Sequence, residues 1–317
     1  MRRFLIVLCA FGCSTAITHS SSSTPPTFGD WSAPGNLAEL NTVYNDNYAV
    51  LSRDELTIYF TSDRPGGFGG DDLWFATRES INSPWEPARN MGTTTNAINS
   101  TYTDSLPFLS SNEHVLYFYS TRPGCGLGDI WMTRRRNKHS DWGEPIRLGC
   151  GLNSVNTSAD DIAPAFFEDP ETEQAWLYYG SNRLGGIGDY DVYRSPLRGH
   201  GFPRPGIPAI LVSDFSSLGR DTRIFIRKDG LEAFITSNRA GGVGLIDIWT
   251  STRQALSDAW SVPTNLGMPV DSTSNDGSPW LSKDGTTLYF FSDRPGSLGT
   301  PPLKRDIWYT TRAKLSD

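Results

Sequence analysis

Short runs of β-branched and aromatic residues, closed off by Gly, Pro, Asn or Asp, follow one another from residue 31 to residue 312. No segment of helical period competes with them. The last unit shows the plan. Asp276 to Ser282 reads as a strand A and Lys283-Asp284-Gly285 as a tight turn. Leu288 to Ser292 reads as strand B, and Asp306 to Arg312, after a loop, as strand C. Strand D is a Trp-x-x-Pro segment, as at Trp260 to Leu266.

Four phrases recur five times in one order. The first is Ser-x-Arg followed by glycines, with Arg64, Arg122, Arg183, Arg239 and Arg294 spaced 58, 61, 56 and 55 residues apart (Ser120-Thr121-Arg122 is the second copy). The second opens strand C, at Asp72, Asp129, Asp191, Asp247 and Asp306. The third is an aromatic before Pro, at Trp31, Trp85, Trp142 and Trp260, with Phe202 as the fourth-repeat version. The fourth opens strand A, at Asp46, Asp104, Asp161, Asp221 and Asp276. Four short antiparallel strands in each of five units predict an all-β, five-bladed β-propeller. The last unit stops after strand C, and the chain enters with a strand D phrase, Trp31-Ser32-Ala33-Pro34. The N-terminal strand is therefore expected to complete the last blade and close the ring, leaving no open edge. Residues 31–317 make that single domain.

The Ser-x-Arg-x-Gly-Gly-x-Gly-x-x-Asp-[Ile/Leu]-Trp phrase resembles the WD40-like β-propeller repeat of TolB-type envelope proteins. The resemblance covers nearly all of residues 31–312 and implies the same fold and an exported protein. No counterpart of TolB's second, N-terminal domain is present.

Composition narrows the setting. The chain of 317 residues is 37% hydrophobic and 12% aromatic, too apolar for disorder. Its net charge of −7 argues against nucleic acid as a partner. Arg2 and Arg3 precede the apolar run Phe4 to Gly12, the layout of a secretory signal and too short to cross a bilayer. Residues 1–16 are assigned to it. Ser14-Thr15-Ala16 suits signal peptidase; alternatively, Ala10-Phe11-Gly12-Cys13 reads as a lipobox with Cys13 lipidated. Residues 17–30 read as a Ser/Pro-rich linker. An exported protein is expected, periplasmic, outer-membrane or secreted, touching a membrane only through such an anchor. In that oxidising compartment Cys125 and Cys150 either pair, tying blade 2 to blade 3, or stay two thiols.

The repeated charges come in two sets. Each strand-A Asp lies nearly opposite a phrase arginine across the A–B hairpin, giving Asp46–Arg64, Asp104–Arg122, Asp161–Arg183, Asp221–Arg239 and Asp276–Arg294. Blade 3 lengthens this hairpin with Glu168 to Gln174. A ligand is rarely five-fold symmetric, so these pairs read as structural. The strand-C aspartates read the same way, four of them with Arg78, Arg135, Arg253 or Arg312 six residues on. Binding is expected where the repeat breaks, at Arg220 and Arg223 of blade 4 and in the blade-5 loop, with Lys304 and Arg305 as further candidates. The face is that of the glycine loops. His114, His139 and His200 fall in separate turns and connections, so neither a metal centre nor a cofactor is expected. The expectation is an exported, non-catalytic binding or scaffolding module for an envelope protein or polysaccharide. The alternative is a carbohydrate-active enzyme of the glycoside hydrolase kind, marked by a channel carboxylate free of arginine.

Overall fold

A computed structural model of the protein describes residues 26–92, 98–298 and 304–316. The leader with Cys13, most of the linker and the centre of the blade-5 loop lie outside them. The strands run β1 (Gly35–Asn36), then blade 1 as β2 (Asp46–Leu51), β3 (Thr57–Ser62), β4 (Asp72–Thr77) and β5 (Arg89–Asn90). Blade 2 is β6 (Asp104–Leu109), β7 (Val115–Ser120), β8 (Asp129–Arg134) and β9 (Ile146–Arg147). Blade 3 is β10 (Asp161–Glu168), β11 (Ala175–Ser181), β12 (Asp191–Pro196) and β13 (Ile210–Leu211). Blade 4 is β14 (Asp221–Ile226), β15 (Glu232–Ser237), β16 (Asp247–Thr252) and β17 (Thr264–Asn265). Blade 5 is β18 (Asp276–Leu281), β19 (Thr287–Ser292) and β20 (Asp306–Thr311).

Among the described residues these strands form five four-stranded antiparallel sheets, and β1 completes the fifth by pairing with β20. Phe28 also bridges to Lys314, and the Arg312 guanidinium lies 3.8 Å from its ring centroid. Pairing of the propeller thus reaches into the segment whose composition reads as a linker. Fourth strands pair over only two residues, because the Trp-x-x-Pro phrase leaves the ladder at its proline. Phe202 belongs to blade 3, whose sheet β13 closes.

Every inner strand carries a β-bulge near its start, after the second residue in four blades and between Asp221 and Ile224 in blade 4. Tyr48, Leu106, Ala163 and Ser278 at the third position have φ between 53° and 57°, a left-handed backbone that kinks the strand beside the channel. Blade 4 places Arg223 there without that φ. Neighbouring blades are stitched by one repeated bond, from each strand-A Asp N–H to the carbonyl preceding strand C of the blade before. Asp104 N donates to Asp71 O (2.8 Å), Asp161 to Gly128 (3.1 Å), Asp221 to Tyr190 (2.8 Å), Asp276 to Ile246 (2.7 Å) and Asp46 to Arg305 (2.7 Å).

The five Asp–Arg sets form one module. Arg183 shows the pattern: its Nη2 donates to Asp161 Oδ1 (2.6 Å) and to Val155 O (2.7 Å), and Nε to Ser181 Oγ (2.9 Å), a bond that Arg122 alone of the five lacks. Its guanidinium covers the Tyr193 ring of strand C. Arg239 and Arg294 reach Asp221 and Asp276 at 2.6 Å, Arg122 reaches Asp104 at 3.0 Å, and Arg64 meets Asp46. The strand-C aspartates behave differently from expectation. They turn away from Arg78, Arg135, Arg253 and Arg312 and accept backbone N–H groups of the B–C loop, as Asp129 does from Cys125 (2.7 Å). Those arginines instead donate to A–B turn carbonyls and cover the strand-D tryptophans, as Arg135 does with Glu113 O and Trp142. A Cβ on Gly124 would sit 1.7 Å from Asp129 Oδ2, so that loop glycine makes room for the carboxylate. Cys125 and Cys150 are joined, Cα atoms 5.9 Å apart.

Candidate functional site: the mouth of the central channel

The stitching bonds define two rings of positions, one residue before each strand-A Asp and one before each strand-C Asp. The backbone there is the same in every blade, but the side chains are not. The first ring reads Asn45, Thr103, Asp160, Arg220 and Asn275; the second reads Asp71, Gly128, Tyr190, Ile246 and Arg305. Constant backbone with changing chemistry is what a scaffold carrying a site on its loops provides. Below them, a cavity of about 250 Å³ opens into the channel between Tyr48, Arg220, Arg223, Phe291 and Arg305.

Two polar clusters occupy the rim. In one, Asp160 accepts the hydroxyls of Tyr190 (2.6 Å) and Tyr119 (3.2 Å). The Arg220 guanidinium lies 3.9 Å from the Tyr190 ring centroid and 3.8 Å from Asp189. Burial, reinforced by the hydrogen bond to Asp160, pushes the Tyr190 phenol up to about 12, so it stays a donor. In the other, Arg305 Nη1 donates to Tyr48 Oη (2.8 Å) and the guanidinium covers Phe291 at 4.6 Å. Asp71 lies nearby and makes no ion pair with an arginine among the described residues. Burial raises its carboxyl above the ordinary range, the Asp63 carboxylate adds to this, and Arg305 opposes it.

The candidate residues separate accordingly. Arg220 and Arg305 stand at the mouth. Arg223 lies beneath it, 1% exposed, with Nη2 on Pro107 O (2.8 Å) and its guanidinium over Phe108. Burial without a carboxylate lowers its pKa to about 9. Lys304 sits to the side, 3.8 Å from Asp63 and over Tyr44. Sequence reasoning missed Asp71, Asp160, Tyr48 and Tyr190. The signal was present: three of them stand one residue before a repeated Asp and differ from every other blade.

One group of carboxylates, Asp247, Asp271 and Asp276, has oxygens within 4.8 Å of one another. Asp271 fills the place of Asn41, Asn99 and Asn156, whose amides bind both the N–H and the carbonyl of a strand-C residue, as Asn99 does with Leu73. Asp271 accepts from Ile248 N (2.9 Å), and burial, with Asp247 and Asp276 beside it, raises its pKa to about 8. At neutral pH it carries a proton, and Arg294 balances Asp276. The group therefore reads as a hydrogen-bonded cluster between blades.

No protein-family model matches the chain, and no curated protein matches it by sequence. Solved structures match it by fold. An α-L-arabinofuranosidase from Lactobacillus brevis superposes with a TM-score of 0.57 at 11% identity, over 89% of this chain and 95% of that one. The arabinofuranosidase PaAbf62A from Podospora anserina gives 0.57 at 10%, over 91% and 98%. A xylan β-1,4-xylosidase from Bacillus halodurans gives 0.52 at 15%, over 88% and 54%. At such identities the likeness establishes the five-bladed propeller. It also overturns the expectation of a non-catalytic scaffold, which rested on every inner carboxylate being bound by arginine. The neighbours are glycoside hydrolases on this same fold, and Asp71 and Asp160 are carboxylates at the mouth without such a bridge among the described residues.

Proposed function

We propose that the protein is a carbohydrate-active enzyme that hydrolyses a glycosidic bond at the channel mouth. The observation that carries this reading is the pair of rim carboxylates, Asp71 and Asp160, in opposite environments. Asp71 is raised by burial, the condition of a proton donor. Asp160 is held in place by two phenol hydroxyls, those of Tyr119 and Tyr190, which donate to its two oxygens. They stand on either side of blade 2. Asp71 protonates the leaving oxygen, while Asp160 takes a proton from the water attacking the anomeric carbon. Arg220, Arg305, Tyr48 and Tyr190 orient sugar hydroxyls.

The neighbours' names suggest the first substrates to try: α-L-arabinofuranosides and xylan. The signal-like N-terminus, the disulfide and the likeness of the repeat to TolB-type envelope propellers support action outside the cytoplasm on a polysaccharide. The test is release of reducing sugar from this panel. Asp71→Asn and Asp160→Asn should each lower the rate by about a hundredfold or more. A wild-type protein that cleaves none of the panel, or variants that cleave as well as wild type, would sink the reading.

A further inference from the structure

A second cavity lies on the opposite face of the disc, among the A–B turns. Its volume is about 740 Å³, and it opens between blades 2 and 3. The blade-3 insertion makes one wall, through Glu168, Glu173 and Gln174, and the single-turn helix at Gly199–Gly201 makes another. Tyr117 fastens that turn by donating to Gly201 O (2.7 Å) and stacks on Phe166. Val115, Phe166, Ala175 and Leu197 supply apolar lining.

The charge of this cavity runs against that of the chain. Five arginines and two glutamates line it, whereas the whole protein carries −7. Arg134, Arg136, Arg198 and Arg204 are exposed, and none makes an ion pair with a carboxylate among the described residues. Arg135 is held by Glu113 at 3.7 Å, and Glu168 is engaged by Ser111 Oγ at 2.5 Å. Arg204 Nε donates to Leu197 O (3.3 Å) and Arg134 covers Phe202, but four guanidinium groups around one concavity without a carboxylate partner among the described residues favour an anion between them. Forked donors of this kind suit carboxylate or sulfate groups.

We propose that this cavity binds an acidic oligosaccharide, with its carboxylates or sulfates on Arg134, Arg136, Arg198 and Arg204 and a sugar ring against the Phe166 lining. The apolar lining argues for a saccharide over a bare inorganic anion, and the volume of about 740 Å³ for a short segment over a long polyanion. The site is separate from the channel mouth and needs no hydrolysis there.

Calorimetric titration of the mature protein tests it, using trigalacturonate, an uncharged trisaccharide and pyrophosphate as probes. Trigalacturonate should bind, the uncharged trisaccharide should bind at least about tenfold more weakly, and Arg134→Gln with Arg198→Gln should weaken trigalacturonate by about tenfold or more. Asp71→Asn should leave that binding unchanged, which separates this site from the channel reading. No binding of trigalacturonate, binding indifferent to the two arginines, or binding of pyrophosphate alone would overturn the proposal.

Discussion

Arg223 Nη2 donates to the Pro107 carbonyl at 2.8 Å, joining blade 4 to blade 2 across the channel. These blades are not neighbours in the ring, so the bond ties its two sides. Arg223 lines the same cavity as Arg220 and Arg305. Charge-assisted bonds of this kind contribute about 1.5–3 kcal/mol each, against the cost of burying a cation without a counter-charge. Arg223→Ala should therefore destabilise by about 2 kcal/mol net, read from urea unfolding. Unchanged stability would mean that the buried charge cancels what the bond contributes.

The repeated module predicts a larger effect. Arg183→Met would leave Asp161, which is fully buried, without its cation. Breaking one partner of a buried pair costs about 3–5 kcal/mol. Thermal unfolding should show a Tm lowered by several degrees, and a surface arginine such as Arg89, exposed beside Glu86, should show almost none of it when replaced.

Asp271 sets a pH dependence with a definite sign. Its folded-state pKa of about 8 lies above the ordinary 3.8, so the native protein holds a proton that the unfolded chain releases. This group's contribution is most favourable below about pH 4 and declines as the pH rises towards 8, then levels off. Asp271→Asn restores the residue used in blades 1 to 3 and removes that decline. Its Tm should exceed that of wild type at pH 8 and approach it at pH 4. A variant less stable at pH 8 would contradict the assignment.

The disulfide closes a separation of 25 residues between blades 2 and 3. In the chain-entropy account a loop of that size contributes about 3 kcal/mol. Cys125→Ser with Cys150→Ser should lower stability by about that amount in denaturant, while reducing agent should leave the double variant unaffected.

The fold was legible because its repeat is long and regular. Each strand-A Asp and its arginine, and the closing of the ring at Trp31, follow from spacing. Side-chain direction was less legible. Arg135 lies six residues after Asp129 yet turns to Trp142, because a cation over an indole and a turn carbonyl fit its reach better than a carboxylate already capped by Cys125 N–H. Gly124 is required for space rather than for a turn, since a Cβ there would meet Asp129 Oδ2. Asp71 and Asp160 were hidden by their neighbours: each precedes a repeated Asp, and attention to the repeat passes over the residue beside it. Arg223 stood out by type, but only the bulge beneath the mouth shows that it faces inward.

The most direct test of the account is a crystal structure of Asp71→Asn soaked with an oligosaccharide the wild type cleaves. The sugar should lie at the channel mouth, its glycosidic oxygen beside residue 71 and its hydroxyls on Arg220, Arg305 or Tyr190. A sugar bound only at the opposite face, or none in the mouth at concentrations that saturate cleavage, would contradict the assignment of the rim as the active site.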